Sequence, residues 1–238
     1  MYTRFAKWYD QHYRSIKDYE GECERLAYLL GKLDPSPAKL RGVCCGTGEH
    51  AWILREKHGF SVDGIDLEPN LIAIAQEKNP DNAFSVGDMR RFSIPKRYDA
   101  ITCLFSSIGY AETENGLKEA IQSMSRHLKP KGWLIIEPWV EPAEWDPKLV
   151  KSSRSEDEER KVSIDQRRIA RTDGSVSVID IEYRIDTPDE QLAFTETHRI
   201  GLFSGEQIET ALESCGFKSR YIPKGMLPHQ VYLAQLGA

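Results

Sequence analysis

Apolar residues follow two patterns along the first 140 positions of the chain. Between charged and turn-forming segments, apolar residues recur every three or four positions, the spacing of a helix that buries one face. Short apolar runs separate these helices, and such runs are typical of buried strands. The runs lie at 41–45, 60–66, 83–86, 98–105 and 134–137. Because strand and helix alternate, the pattern predicts an α/β fold with parallel strands and right-handed crossovers.

Residues 141–200 interrupt this alternation with β-rich patterns and turn residues. The pattern predicts an antiparallel β meander inserted after the fifth strand, lying over the carboxyl end of the sheet as a lid or dimer surface. The charged run at 156–161 indicates a solvated turn or ribbon end. The predicted strands of the meander are at 162–169, 176–181 and 194–202.

The last 38 residues return to the earlier pattern. Ser204 and Gln207 have the spacing of a capping box and predict the start of a helix, which Gly216 ends. Two β-rich segments follow at 217–222 and 230–236, and we expect them to form a hairpin.

Composition and charge narrow the class of protein. The 238 residues carry 32 Lys and Arg against 37 Asp and Glu, a net charge of −5, without a basic stripe that would bind nucleic acid. No apolar run reaches the roughly 18 residues of a membrane span, and the amino terminus lacks a signal-peptide core. We therefore expect a cytoplasmic protein without nucleic-acid or membrane partners.

The five cysteines have neither zinc-site spacing nor disulfide-like regularity. We expect them to be small apolar side chains in a reducing compartment. Cys44 and Cys45 are adjacent in the first predicted strand, so their side chains are expected to point to opposite faces and not to pair.

A glycine turn after the first strand carries the first chemical signal. Gly46 and Gly48 allow a tight turn and close approach to a ligand, and the next helix opens with free N–H groups. Asp66 ends the second strand about 20 residues later, where such folds bind ribose hydroxyls. The two features predict an adenosine-containing cofactor. Residues 46–51 also satisfy the loose dinucleotide pattern G-x-G-x-x-A, so a nicotinamide enzyme is an alternative.

The third strand and the end of the chain bear on that alternative. Asp88 follows the third strand, where its carboxylate could accept the adenine amino group, and the Met89 thioether could pack on the ring. The predicted carboxyl-terminal hairpin argues against a nicotinamide dehydrogenase, whose doubly wound sheet stays parallel.

The order of these motifs resembles that of the class I S-adenosylmethionine-dependent methyltransferases over 40–140 and 200–238. The resemblance implies a Rossmann-like, seven-stranded α/β sheet whose last strand is antiparallel, with the β meander inserted. The resemblance also implies that residues 1–140 and 201–238 form the cofactor-binding core and that residues 141–200 are an insertion within the same domain.

A narrower resemblance covers nearly the whole chain. Six runs are similar to the N,N-dimethyltransferases that finish desosamine- and mycaminose-type amino sugars: 17–19, 87–90, 99–109, 126–130, 137–139 and 198–203. The likeness implies that the acceptor is a primary or secondary amine on a nucleotide-linked sugar. It also implies that the inserted sheet helps to form a homodimer.

Methyl transfer from a sulfonium is an in-line displacement that needs positioning and exclusion of water, so we expect no metal. Main-chain groups of 45–48 are expected to meet the methionine part of S-adenosylmethionine. The predicted cofactor-binding residues are Tyr9, Lys17, Cys45, Gly46, Thr47, Asp66, Leu67, Asp88, Met89 and Leu104.

The predicted acceptor-binding residues are Tyr2, Tyr13, Ser106, Trp139 and His198. Tyr110 is the predicted catalytic residue and stands where the resembled enzymes usually have histidine. A phenol with a pKa near 10 is a poor proton acceptor at neutral pH, so we expect Tyr110 to orient the acceptor.

Two alternatives stay open at this point. An O-methyltransferase acting on a small hydroxyl or carboxylate acceptor is one, because Tyr110 and His198 could serve either chemistry. A cofactor-binding module without catalytic activity is the other.

Overall fold

The structure, a computed structural model, describes residues 2–226 and 229–237. These residues form six α-helices and eleven strands. The helices are α1 Tyr9–Ile16, α2 Tyr19–Leu30, α3 Glu49–His58, α4 Pro69–Lys78, α5 Glu114–Arg126 and α6 Gly205–Ser214. The strands are β1 Lys39–Val43, β2 Ser61–Asp66, β3 Phe84–Val86, β4 Tyr98–Cys103, β5 Leu128–Ile136, β6 Val150–Asp157, β7 Val162–Asp173, β8 Val176–Asp186, β9 Gln191–Gly201, β10 Phe217–Met226 and β11 His229–Leu236.

Seven strands form one sheet in the order β10-β11-β5-β4-β1-β2-β3. Strands β1 to β5 pair in parallel, while β11 runs antiparallel to β5. The predicted Rossmann-like seven-stranded fold with an antiparallel last strand is therefore confirmed. Parallel strands have their carboxyl ends at the same edge of the sheet. The loops after β1, β2, β3 and β4 therefore meet at that edge.

Helix caps and buried faces explain where the helices lie. In α5, the Thr113 hydroxyl accepts the N–H of Gly116 at 3.0 Å, and one apolar face is buried. In α6, the predicted capping box is present, with Ser204 and Gln207 each bonded to the other's backbone N–H. These helices pack their apolar faces beside the β4–β5–β11 part of the sheet.

The inserted segment forms a separate antiparallel sheet in the order β6-β7-β8-β9. The prediction had three strands there, and the structure adds β6. Only Ser155 of this strand is buried, so β6 has no apolar alternation that a sequence pattern would reveal. Hydrogen bonding to β7 is what defines it, and the charged run 156–161 forms the end of that ribbon.

Several predicted strand ends were wrong by a few residues. Strand β1 ends at Val43, so Cys44 and Cys45 lie in the turn after it and not in a strand. Strand β4 ends at Cys103 instead of Phe105, because the chain there turns into a short 3-10 helix. Strand β5 begins at Leu128, six residues before the predicted start. None of the described helices is both long enough and apolar enough to cross a bilayer.

Candidate functional site

The glycine turn joins β1 to α3 through a left-handed backbone. Cys44, Gly46 and Gly48 have φ angles of 57°, 56° and 70°, a region that costs a residue with a Cβ about 1–2 kcal/mol. Gly48 is the N-cap of α3 and supplies no side-chain cap, so the first N–H groups of the helix remain available. The turn therefore presents backbone donors at the edge where the strands end.

Asp66 bridges this turn to the end of β2. One carboxylate oxygen accepts the N–H of Gly46 at 2.9 Å, and the other accepts that of Glu68 at 3.0 Å. Burial raises the pKa of Asp66, while the backbone hydrogen bonds oppose the rise. The carboxylate is thus fixed, and each oxygen keeps further acceptor capacity for a ligand hydroxyl.

Asp66 lies in what we call the carboxylate cavity, together with Leu67, Asp88 and Met89. Leu67 leaves 55% of its surface exposed, which is high for leucine beside a cavity. The Asp88 carboxylate forms an ion pair with Arg90 at 2.8 Å, and this arginine holds the pKa of Asp88 below its usual range. The other lining residues are Tyr2, Tyr9, Cys44, Gly46, Glu68, Leu71, Gly87, Arg90, Ser107 and Tyr110.

A second space, the glycine-turn cavity, lies on the other side of the turn. It brings together Tyr9, Cys45, Thr47 and Leu104, all predicted cofactor-binding residues, with Gly46 shared by both cavities. Its remaining walls are Tyr19, Gly42, Val43, Cys44, Glu49, His50, Ala51, Leu54, Val62, Thr102, Phe105 and Ser107.

Helix α1 is bound to the glycine turn by charged side chains. Lys78 of α4 lies 2.6 Å from both Asp10 and Glu49, and the Thr47 hydroxyl donates to Asp10. Arg14 adds two hydrogen bonds of 2.7 Å to Glu49. Although burial alone raises the pKa of Glu49, Arg14 and Lys78 hold it below its usual value. The network keeps Tyr9 over the turn.

Lys17 is not among the side chains that line the carboxylate cavity or the glycine-turn cavity. Its ammonium forms an ion pair with Glu22 and lies 4.0 Å above the Phe105 ring. Glu22 also accepts a hydrogen bond from His50 at 2.9 Å. The structure thus places Lys17 against the Phe105 ring and outside the lining of these cavities.

A third space, the aromatic cavity, lies between the sheet edge and the inserted sheet. It brings together all five predicted acceptor-binding residues with Tyr110. Its lining is Tyr2, Tyr9, Tyr13, Phe105, Ser106, Ser107, Tyr110, Trp139, Arg168, Ile179, Ile181, His198 and Ile200. Rings and aliphatic side chains dominate this wall, so it excludes water from whatever enters.

Tyr110 and His198 form the polar pair of the aromatic cavity, with 2.8 Å between the phenol oxygen and Nδ1. Burial, with the nearby Arg168 charge, lowers the pKa of His198 to about 4, so the ring is neutral near pH 7. Burial raises the pKa of Tyr110 well above 10. Glu196 lies 4.0 Å from His198 Nε2 and favours a proton there. Tyr110 therefore donates to Nδ1.

The loop after β4 is fixed by hydrogen bonds. Glu137, 1% exposed, accepts the N–H of Phe105 at 2.7 Å, and the Ser106 hydroxyl donates to the Pro138 carbonyl at 3.0 Å. Phe105 and Ser106 have positive φ angles of 53° and 59°. This backbone turns Ser107 toward the cavities.

Tyr9 and Ser107 line all three cavities, so the cavities meet at these two side chains. Ser107 and Arg168 were missed as site residues. Ser107 is adjacent to the predicted Ser106, and only the backbone turn decides which serine faces the junction. Arg168 is one of several arginines in the insertion, and nothing in its local pattern separates it from them.

Comparison with known proteins identifies the family of this chain. Residues 42–132 match a family model described as a methyltransferase domain. Over 224 residues the chain is 35% identical to the dTDP-3-amino-3,6-dideoxy-alpha-D-glucopyranose N,N-dimethyltransferase of Streptomyces fradiae, covering 92% of this chain and 86% of that enzyme. The chain belongs to the S-adenosylmethionine-dependent methyltransferases.

Solved structures resemble this methyltransferase over its whole length. The crystal structure of Streptomyces venezuelae DesVI gives a TM-score of 0.90 at 26% identity and covers 98% of each chain. CalS10, an amino pentose methyltransferase from Micromonospora echinaspora solved with bound S-adenosylmethionine, gives 0.84 at 25% identity and covers 95% of each chain.

The residues of this methyltransferase fit that cofactor. Adding a Cβ to Gly48 would bring it within 2.8 Å of the Asn79 side chain, so glycine lets the turn pack closely against the end of α4. Backbone donors at the turn suit a carboxylate, Asp66 suits ribose hydroxyls, and Leu67 with Met89 suit an adenine face. These groups are thus complementary to the methionine carboxylate, the ribose and the adenine of S-adenosylmethionine.

Proposed function

We propose that this methyltransferase methylates the amine of a small-molecule acceptor, an amino sugar carried on a nucleotide. The meeting of the three cavities at Tyr9 and Ser107 carries the proposal, because it gives cofactor and acceptor one shared point of contact. The relative from Streptomyces fradiae, named for a dTDP-amino sugar, supports the acceptor class.

The side chains of this protein act by binding and orientation. S-adenosylmethionine, when bound, supplies an electrophilic methyl group on a sulfonium. Asp66 and the glycine turn hold the cofactor, while Tyr9 and the other rings that line the aromatic cavity exclude water. The Tyr110 hydroxyl donates its hydrogen bond to His198, so the lone pairs of the phenol oxygen can accept a hydrogen bond from an N–H of the amine. The acceptor nitrogen must be neutral to attack, and its excess proton leaves to solvent.

The predicted residues other than Lys17 keep their predicted roles as proposals. The residues that bind the cofactor are Cys45, Gly46, Thr47, Asp66, Leu67, Asp88, Met89, Leu104 and Tyr9. Lys17 supports the Phe105 ring by lying against its face. Tyr2, Tyr13, Ser106, Trp139 and His198 surround the acceptor.

Calorimetry and product analysis test the proposal together. Calorimetric titration with S-adenosylhomocysteine measures cofactor binding, and mass spectrometry then follows transfer to a dTDP-linked 3-amino sugar. The matched control acceptor is the same nucleotide sugar with a hydroxyl in place of the amine. One or two methyl groups on the amine alone support the proposal. Transfer to the hydroxyl sugar would establish the O-methyltransferase, and tight cofactor binding without any product would establish the binding module.

We also propose a homodimer through the inserted sheet and a cytoplasmic location. Val150, the first residue of edge strand β6, and Leu149 before it are 54% and 44% exposed and offer apolar surface at the edge of the sheet. Sedimentation equilibrium of the protein and of its Val150→Lys variant tests the dimer. A monomer at all concentrations contradicts it.

A further inference from the structure

One cation of the inserted sheet faces the aromatic cavity. Arg168 of β7 lies opposite Ile181 of β8 in the strand register and lines that cavity with Ile179 and Ile181. Its sequence neighbour Arg167 points to the other face of the sheet and pairs with Glu182 at 3.0 Å. Alternation along one strand thus places one arginine at the solvent and the other at the aromatic cavity.

The charge of Arg168 has no carboxylate partner within 4.0 Å in the part of the chain that the structure describes. By contrast, Arg154, Arg167 and Arg171 of the same sheet each pair with a carboxylate. Arg168 Nε donates to the amide oxygen of Gln166 at 2.7 Å, and Gln166 is only 2% exposed. A buried amide therefore orients the guanidinium plane, while its terminal nitrogens, beside the Tyr13 hydroxyl, have further N–H donors for a ligand.

The positive charge acts on its surroundings. After burial, Arg168 is the side chain that lowers the pKa of His12, and it contributes in the same way at His198. Glu196, on the same face, uses its two oxygens for the N–H groups of Tyr2 at 2.9 Å and Arg4 at 3.2 Å. Both oxygens of Glu196 thus accept backbone donors, and among the described residues this carboxylate lies more than 4.0 Å from the Arg168 guanidinium.

We propose that Arg168 binds a phosphoryl group of the acceptor and thereby selects a nucleotide-linked sugar. This inference rests on the proposed function. The aromatic cavity holds about 120 Å³, room for the reacting end of the acceptor and not for a nucleotide. Anything beyond the sugar must pass the cavity wall, where the guanidinium offers paired N–H donors to two phosphoryl oxygens.

The test compares Arg168→Gln and Arg168→Lys with Arg167→Gln, a matched control on the solvent face. For each variant, kcat/KM is measured on the dTDP-linked amino sugar and on the free amino sugar, with cofactor saturating. The ratio of the two should fall about 10- to 100-fold in Arg168→Gln and less in Arg168→Lys, since lysine keeps the charge without the bidentate geometry. Arg167→Gln should leave the ratio within a factor of two.

A second measurement separates this inference from the proposed function. Calorimetric titration of the cofactor-loaded protein with dTDP alone needs no turnover, and Arg168→Gln should bind dTDP at least tenfold more weakly. An equal loss on both acceptors, or unchanged dTDP affinity, would overturn the phosphoryl assignment and make Arg168 structural. A wild-type preference for an amine bearing a carboxylate over the phosphorylated acceptor would overturn it as well. Failure to methylate either amine, with dTDP binding that depends on Arg168, would overturn the proposed function alone.

Discussion

Asp66 is the residue whose position most directly links sequence to cofactor binding. Its carboxylate already accepts the N–H groups of Gly46 and Glu68, so it is fixed before any ligand arrives. We expect Asp66→Ala to weaken binding of S-adenosylhomocysteine by about 1.5–3 kcal/mol, through loss of charge-assisted hydrogen bonds to ribose hydroxyls. Calorimetry measures the change, and Ser61→Ala at the far end of β2 is the control. An affinity within a factor of two of wild type would refute the ribose assignment.

Tyr110 and His198 should behave as one unit in a double-mutant cycle. Tyr110→Phe removes one hydrogen bond but keeps the ring, so kcat/KM should fall about tenfold with cofactor affinity unchanged. His198→Leu frees the phenol proton and should cost a similar factor. If His198 acts through Tyr110, the double variant should be no slower than Tyr110→Phe alone. His198→Asn, which keeps an acceptor near Nδ1, should recover part of the loss.

Two outcomes contradict that account. Multiplicative losses in the double variant would show that His198 acts independently of Tyr110. A loss near ten-thousandfold in Tyr110→Phe, with normal cofactor binding, would show that the phenol is an acid–base group.

The sequence located the residues that lie at strand ends, because spacing along the chain determines where a parallel strand stops. Asp66 ends β2 and Asp88 follows β3, as expected. Arg168 and Ser107 were missed since their exposure to the cavities depends on tertiary features. The exposure of Arg168 depends on which face of the inserted sheet packs over the site. The exposure of Ser107 depends on the positive φ angles of Phe105 and Ser106.

At the level of elements, α1 acts as a cover held over the glycine turn. Lys78 neutralises Asp10 and Glu49 at 2.6 Å each, with only 15% of its side chain exposed. Lys78→Gln should remove the cation that Asp10 and Glu49 share, leave only Arg14 paired with Glu49, and so loosen α1. We expect S-adenosylhomocysteine to dissociate about three- to tenfold faster, with a smaller effect on association.

Stopped-flow displacement of the bound ligand measures that dissociation rate. Lys57→Gln is the matched control, since Lys57 pairs with Glu20 at the surface, where both side chains are at least 45% exposed. Equal rates in the wild type and the two variants would mean that α1 does not limit release.

Elements with apolar periodicity were predictable, and those defined by pairing alone were not. Helix α2 buries Cys23, Leu26, Leu29 and Leu30 at helical spacing and has Gly31 as its C-cap. Strand β6 has one buried residue, Ser155, whose hydroxyl contacts His12 of α1 at 2.9 Å. A polar edge strand of this kind is stabilised by its hydrogen bonds to β7, which leave no periodic signal in the sequence.

Across the whole molecule, the amino-terminal segment joins the two sheets. Phe5 stacks on Tyr183 of β8 at 4.1 Å between ring centroids, and His12 bonds to β6. The same segment covers the glycine turn through Asp10. The amino-terminal segment therefore forms a buried layer that contacts the cofactor site, the acceptor site and the inserted sheet. Two buried histidines lie in this layer or against it.

Those histidines make the stability of the fold depend on pH. Burial, with Arg168 adding to it, lowers the pKa of both His12 and His198 from 6.5 to about 4. In the unfolded chain they take up protons below pH 6.5, while in the folded protein they stay neutral down to about pH 4. Their contribution is therefore complete above pH 6.5 and is lost as the pH falls toward 4.

Between pH 7 and pH 5, each histidine should lower the free energy of unfolding by about 2 kcal/mol. Urea denaturation at the two pH values measures the drop, in a range where most carboxylates are still ionised. The double variant His12→Gln, His198→Asn should lose most of this pH dependence whatever its absolute stability. His58→Gln, at the end of α3, should retain it. A double variant with the pH dependence of wild type would mean that the two rings are protonated as readily in the folded protein as in the unfolded chain, and that the buried layer between the sheets is open to water.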